Sequence, residues 1–215
     1  MPLGRFITLE GGEGAGKSTQ TRLLADALIE LGLPVLRTRE PGGAPGAELL
    51  RDLLLGGSVD WSATAETLLH FAARAEHVEK TIRPALAAGM WVISDRFFDS
   101  TMAYQGYGHG VSLDRIREVT QLACEDVIPD RTFLLDIPVH IGLGRSGWRA
   151  QSKWDRFEVL DPAFHERVRE GYLRLAAAEP KRWQVIDAAR DEASIAQDVR
   201  REVDAFLGLP ASLRP

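Results

Sequence analysis

An α/β fold, a five-stranded parallel sheet with helices on both faces, is what this sequence predicts, and three observations predict it. Short apolar runs alternate with longer amphipathic stretches along the chain, the pattern of successive β–α units. The apolar runs are nearly continuous, as expected of strands covered by helices on both faces. Glycines stand just past several amphipathic stretches, where a left-handed residue ends a helix at little cost.

The expected strands are Arg5–Leu9, Val35–Thr38, Trp91–Ser94, Thr132–Asp136 and Trp183–Ile186. The expected helices are Ser18–Leu31, Ala47–Leu55, Ala63–Ala88, Leu113–Asp126, Pro162–Ala178 and Glu192–Leu207, with Gly32, Gly56 and Gly89 as the terminating glycines. With no repeat and no Pro- or Ser-rich linker, the 215 residues read as a single domain, 1–215. One stretch breaks the alternation. Gly144–Trp154, GRSGWRAQSKW, is polar and basic with no clean apolar face. A segment of that kind inside an α/β domain predicts a surface loop, and a short lid over about 144–157 is the functional reading of it.

Composition narrows the function. At 45% hydrophobic and 27% charged the chain is ordinary globular protein. No apolar run approaches the length that spans a bilayer, and the N-terminus lacks a signal peptide's apolar core, so neither membrane nor export is expected. The single cysteine, Cys124, rules out an internal disulfide and fits a reducing cytoplasm; its expected role is that of a small buried hydrophobe. A net charge of −5 argues against nucleic acid as a partner. An anionic small substrate would need arginines gathered locally against that overall field.

The segment Gly11-Gly12-Glu13-Gly14-Ala15-Gly16-Lys17-Ser18, followed by Thr19, matches the phosphate-loop pattern G-x₄-G-K-[ST] in full. At average composition that pattern arises by chance in about one chain of this length in a hundred. Its context, an apolar strand before and a long amphipathic stretch after, sharpens it. The glycines let backbone N–H groups close around phosphate oxygens, and the first turn of the following helix turns its free amides and positive dipole end to the same oxygens. Lys17 is expected at the β/γ-phosphates of ATP, and the Ser18 hydroxyl on Mg²⁺. The fold expected is therefore that of the P-loop NTPases. No Asn-Lys-x-Asp guanine-reading motif follows a strand; Ser152-Lys153-Trp154-Asp155 lacks the asparagine. A GTPase is thus disfavoured.

Asp95-Arg96 falls at the carboxyl end of an expected strand, where open α/β sheets bind ligands. An arginine there can grip a phosphate with two parallel bonds. Read alone, the pair is a weak signal, since surface ion pairing would explain it equally well.

Its neighbours form a resemblance. Thr38-Arg39-Glu40-Pro41-Gly42-Gly43 resembles the TREPGG turn of thymidylate kinases, and Asp95-Arg96-Phe97-Phe98-Asp99-Ser100-Thr101-Met102-Ala103-Tyr104-Gln105-Gly106 resembles their DR(Y/H)xxSxxAYQG block. Pro129-Asp130 with Leu134-Leu135-Asp136, and Asp155-Arg156-Phe157-Glu158, are similar to two further motifs of that family, in the family's order. The resemblance runs from Glu10 to Glu158; the paired TREPGG and AYQG motifs are specific to the family, the P-loop and the DR pair are not.

What the resemblance implies is transfer of the ATP γ-phosphoryl group to dTMP by a homodimeric enzyme. Arg96 would hold the acceptor phosphate, with Arg51 nearby and Glu40, Asp95 and Ser100 among the pocket residues. Arg74 would meet a thymine carbonyl, Thr101 and Gln105 the base edge, and Tyr104 the sugar, where it crowds a 2′-hydroxyl. Glu13 and Glu158 would lie near the sugar 3′-hydroxyl and the metal. Three departures stand out. The aromatic residue that stacks on thymine in the family falls here at His70, with Phe71 one place and about 100° further round the helix. Phe97 replaces a polar residue after Asp95-Arg96, and the lid is longer than in the short-lid members of the family. The P-loop carries Glu13 but no arginine, so Arg145 or Arg149 of the lid would neutralise the moving phosphoryl. The alternatives are another nucleotide or nucleoside kinase of the same fold, and a P-loop ATPase that switches a partner. The latter has no need of Arg74, Arg96, Thr101 and Gln105 together.

Overall fold

The apolar runs form one sheet of parallel strands, β1 (Arg5–Glu10), β2 (Val35–Arg39), β3 (Trp91–Asp95), β4 (Arg131–Asp136) and β5 (Trp183–Asp187), in the order β2-β3-β1-β4-β5. The computed structural model describes residues 4–56, 59–147 and 161–206. Each strand extends the sequence expectation by one residue at one end. β1 lies between β3 and β4, in register with β3 so that Leu9 is level with Asp95. That register puts the P-loop, which leaves β1, beside Asp95-Arg96, which leaves β3.

Alternate residues of β1 feed opposite layers, as a pleated strand requires. Ile7 and Leu9, with Ile93, Phe133 and Leu135, pack against Leu24 and Leu28 of α1 (Lys17–Glu30) and Ile195, Val199 and Val203 of α9 (Glu192–Phe206). Phe6, with Val92, packs on the other face against Val78, Ile82 and Phe97. A third cluster joins Leu134 to Phe164, Val168 and Tyr172 of α8 (Pro162–Ala178), and this places Tyr172 next to Ala103 and Tyr104.

The remaining helices are α2 (Pro45–Leu55), α3 (Ala63–His77), α4 (Arg83–Ala87), α5 (Phe98–Thr101), α6 (Leu113–Cys124) and α7 (Val139–Gly147). Local signals start several of them. The Ser62 hydroxyl accepts from the Ala65 N–H and the Asp161 carboxylate from the Ala163 N–H, capping α3 and α8, and proline opens α2 and α8. The stretch expected as one helix over Ala63–Ala88 is instead α3, a π-helical turn at Val78–Ile82, and α4. Residues 98–108, read from sequence only as a motif, form α5 and a π-helical segment at Met102–Gly108; π turns of this kind gather at functional sites. Gly32 and Gly89 take positive φ of 76° and 78° as expected, whereas Gly56, at φ −65°, remains right-handed. Cys124 is buried, as expected of a small hydrophobe, and burial pushes its thiol up to about 12. Among the described residues no helix is long and apolar enough to cross a membrane.

The polar segment departs from expectation at its start. Gly144–Gly147 is the last turn of α7, not a loop. The rest of the expected lid, Arg149 and Glu158 lie outside the described residues.

Candidate active site

The phosphate cradle grows directly out of β1. Gly14 and Gly16 adopt positive φ of 66° and 91°, and α1 starts at Lys17, so the loop's N–H groups and the helix terminus converge on one point. A side chain at Gly14 would collide with the backbone of Gly142 in α7, so the loop and the helix that leads to the lid segment pack backbone to backbone. Lys17 is buried and its Nζ donates to the Gly12 carbonyl at 2.8 Å, folded back over the loop. Burial, then the charge of Arg96, lower its pKa. Ala15 is buried, Thr19, the third residue of α1, is half-buried, and Ser18 is exposed with its Oγ donating to Asp95 Oδ2 at 2.5 Å. Asp95, grouped from sequence with the acceptor residues, thus belongs to the Ser18 end of the site. A hydroxyl and a carboxylate at this separation, beside a phosphate cradle, are the hard oxygen donors that Mg²⁺ takes. Among the described residues no group of three or more His, Cys, Asp or Glu is placed to hold a metal, so phosphates and water would complete such an ion's shell.

Arg96 stands between this cradle and the acceptor side. Its backbone is left-handed, φ 72°, a conformation that costs a non-glycine residue about 1–3 kcal/mol and persists only where its surroundings enforce it. They do so here: its N–H donates to Leu9 O at 3.0 Å and its carbonyl accepts from Ser94 Oγ at 2.7 Å. The guanidinium reaches Glu13 Oε1 (2.9 Å) and Gly11 O (3.2 Å) on the P-loop, and Ser100 Oγ (3.1 Å), Tyr104 OH (3.1 Å) and Tyr172 OH (3.2 Å) on the other side. Tyr104 OH also donates to Glu13 Oε1 at 2.6 Å. Burial alone would raise Glu13; the charges of Arg96 and Lys17 and the Tyr104 hydrogen bond outweigh it and hold the carboxyl at about 2. Glu13 is therefore ionised and counterbalances two cations, Arg96 and Lys17.

Arg74 is the second buried guanidinium, 2% exposed, which excludes a solvated helix face. It donates from Nε to Glu40 Oε2 (2.7 Å), from Nη1 to Thr101 Oγ1 (3.1 Å) and from Nη2 to Phe97 O (3.2 Å). Three of its five N–H groups are thereby engaged and two remain for a ligand. Thr101 is committed to Arg74, and Gln105 donates to Glu66 Oε1 at 2.7 Å, so both side chains have fixed orientations at the pocket wall. Arg51 donates to the Pro41 carbonyl at 2.6 Å, which anchors α2 to the TREPGG turn. That turn also needs Gly43, at φ 85°, because a side chain there would run into the His77 ring.

At the stacking position, Phe71 is 3% exposed and packs with Met102 and Ile116, its ring under Arg74 at 4.8 Å, so Phe71 faces the core. The 100° rotation leaves His70 on the pocket side, half-buried and within the fields of Arg74 and Arg96. Burial, and then those two cations, lower its pKa to about 3, so the ring is neutral. Its Nε2 is buried without a hydrogen-bond partner. Arg145 sits in the last turn of α7 and donates to the carbonyls of Ala188 (2.7 Å), Ala189 (3.0 Å) and Arg190 (3.3 Å), so it clamps α7 to the loop after β5.

Three residues of the site were not found from sequence. Glu10 and Tyr172 lie under Arg96. His77 donates or accepts at both ring nitrogens, to Glu40 Oε1 (3.0 Å) and Thr38 Oγ1 (2.7 Å), and so fixes the carboxylate that holds Arg74. A signal existed only for Glu10, a carboxylate closing an otherwise apolar strand.

Known proteins resemble this chain in sequence and fold. The family model described as thymidylate kinase matches residues 9–199. A thymidylate kinase of Rhizorhabdus wittichii is 53% identical over 189 residues, 87% of this chain and 90% of that protein. One of Afipia carboxidovorans is 48% identical over 215 residues, 98% of this chain and 94% of that protein. The crystal structure of thymidylate kinase from Ehrlichia chaffeensis superimposes with a TM-score of 0.76 at 36% identity, covering 94% of this chain and 99% of that one. The chain belongs to the thymidylate kinase family.

Proposed function

We propose a division of labour among these residues for the reaction that the family carries out. The chain is a nucleoside monophosphate kinase that transfers the γ-phosphoryl group of ATP to dTMP, giving dTDP and ADP. The observation that carries the assignment of roles is the position of Arg96, whose guanidinium touches the P-loop on one side and the acceptor wall on the other.

In this reading the amides of Gly11–Ser18 bind the β- and γ-phosphates, and Lys17 leaves Gly12 O to meet them. Ser18 and Asp95 would hold Mg²⁺, which would supply positive charge to offset that of the phosphates. Arg96 holds the acceptor phosphate, so that donor and acceptor meet across one cation. Glu13, released from part of its pairing with Arg96 as phosphate arrives, faces the sugar 3′-hydroxyl together with Glu158. Arg74, locked by Glu40 and His77, directs its free N–H groups to a thymine carbonyl, and Thr101 and Gln105 border the base edge. Tyr104, held by Glu13, forms the floor beneath the sugar. His70 supplies the face against the base. Phosphoryl transfer is chiefly positioning and charge neutralisation, and with no P-loop arginine the remaining positive charge falls to Arg149.

A homodimer and a cytoplasmic location belong to the same reading. Leu49 and Leu53 of α2, Leu68 of α3 and Leu122 of α6 are apolar side chains more than half exposed, on helices that pack together. Covering them in a second copy accounts for that exposure; light scattering at micromolar concentration checks it. The acceptor reading is tested by ADP release with every common nucleoside monophosphate. Highest kcat/KM with dTMP is expected, and preference for UMP, CMP or AMP would overturn it.

A further inference from the structure

Glu10 has no role in the scheme above, yet it is the group through which the surroundings of Arg96 are tied together. It is the last residue of β1, fully buried, at the end of a strand whose neighbours Ile7 and Leu9 are core. An isolated carboxylate there would be strongly disfavoured. It accepts three hydrogen bonds: from the Phe97 N–H to Oε1 at 2.7 Å, and from Ser100 Oγ (2.6 Å) and Tyr172 OH (3.0 Å) to Oε2.

All three donors border Arg96. Phe97 follows it in the chain, so the Phe97–Glu10 bond pins the peptide immediately after the left-handed residue. Ser100 Oγ and Tyr172 OH are two of the atoms that accept from the Arg96 guanidinium, and they lie 2.8 Å from each other. A hydroxyl whose proton is turned to a carboxylate offers its lone pairs elsewhere, and here those lone pairs face Arg96. One carboxylate thus sets both the backbone and the side chain of Arg96 without touching the place where substrate binds.

We infer that Glu10 is a positioning residue for dTMP, holding Arg96 in its left-handed conformation with the guanidinium turned to the acceptor phosphate through Phe97, Ser100 and Tyr172. The inference rests on the reading of Arg96 as the phosphate-holding group. Removing Glu10 frees the Phe97 amide and lets both hydroxyls rotate their protons toward Arg96, so the guanidinium loses its aim. The contribution lost is chiefly that of the phosphate: Gln105 is held by Glu66 and Arg74 by Glu40, and the Phe97 carbonyl that also accepts from Arg74 is the one link from Glu10 to the base side.

The experiment is calorimetric or fluorescence titration of dTMP and of thymidine, which lacks the phosphate, into wild type, Glu10→Ala, Glu10→Gln and Arg96→Ala at pH 8. Burial, and then the Asp99 carboxylate, push Glu10 up to about 7, so it acts as an acceptor at that pH. Glu10→Ala should weaken dTMP by roughly 10- to 100-fold, the range for losing hydrogen bonds to a charged group, and leave thymidine within about twofold. Glu10→Gln keeps the side chain's shape and an acceptor for Phe97 but turns N–H groups toward the two hydroxyls; it should show the same selective loss, smaller in size. It stands in should the alanine variant fail to fold. Equal weakening of both ligands, or an unchanged dTMP-to-thymidine ratio in a folded variant, overturns the inference. Arg96→Ala separates the two levels: if it too keeps the full ratio, the phosphate reading fails, and if it alone loses the ratio, only the role of Glu10 fails.

Discussion

The phosphate cradle and the acceptor pocket share Arg96 as a wall, but they are made in opposite ways. The cradle is eight consecutive residues, Gly11–Ser18, whose chemistry lies mainly in backbone amides and one lysine. The pocket is assembled from side chains on β1, α3, the β3–α5 turn, the Met102–Gly108 segment and α8, each held by a further side chain: Arg74 by Glu40, Glu40 by His77, Arg96 by Glu10 through Ser100 and Tyr172. A cradle of backbone tolerates change in its surroundings as long as the turn forms. A pocket of interlocked side chains transmits a change at any of them to the substrate, so its damage should appear as selective loss of acceptor recognition.

The comparison breaks most visibly at the cradle's one indispensable side chain. Lys17→Ala should nearly abolish turnover with the fold intact, because nothing else in the loop carries positive charge; parallel loss of circular dichroism would instead make Lys17 structural. Next in size is Arg149→Ala. Since Arg145 is engaged with residues 188–190, the stabilising charge should come from Arg149, and removing it should lower kcat by about 10³-fold or more, as for other arginines of this kind. The Kd of dTMP should hardly change, and steady-state kinetics with direct titration would reveal the opposite pattern.

Smaller effects sharpen the pocket side. Tyr104→Ala should relax the preference for deoxyribose, raising the relative kcat/KM for ribonucleotides more than it alters ATP affinity. His70 gives a pH signature. Its folded pKa of about 3 lies below the ordinary 6.5, so below pH 6.5 the unfolded chain takes up a proton that the folded protein refuses. Stability from this residue is present above pH 6.5 and is lost progressively as pH falls toward 3. In His70→Phe the denaturation midpoint should fall less steeply across that window; an identical slope would show that His70 is not held neutral.

The same contrast explains what could be read from the sequence. The five strands and the P-loop were legible because their signals are local: continuous apolar runs, a glycine pattern, a strand before and a helix after. Residues of the acceptor wall were reached through the TREPGG and AYQG motifs, but their partners were not. Glu10 and Tyr172 are 162 positions apart, and no spacing rule joins them. His70 and Phe71 could not be told apart because one residue's rotation decides which faces the core; Phe71 is the one that packs there, with Met102 and Ile116. α7 escaped notice because its glycines and polar end mask the helical pattern; Gly142 is there to let the P-loop approach, not to break the helix. The carbonyl partners of Arg145 beyond β5 were hidden for the same reason.

The central claim, that cradle and pocket are built separately and meet at Arg96, is tested most directly by titrating ATP and dTMP separately into Arg96→Ala. The guanidinium touches the P-loop only through Glu13 and the Gly11 carbonyl, neither of which is a phosphate-binding amide. The account predicts that the Kd of dTMP rises by roughly 10- to 100-fold, as for loss of charge-assisted bonds to phosphate, while that of ATP stays within about twofold. An ATP affinity that falls as far as that of dTMP, or a dTMP affinity that does not change, would contradict it.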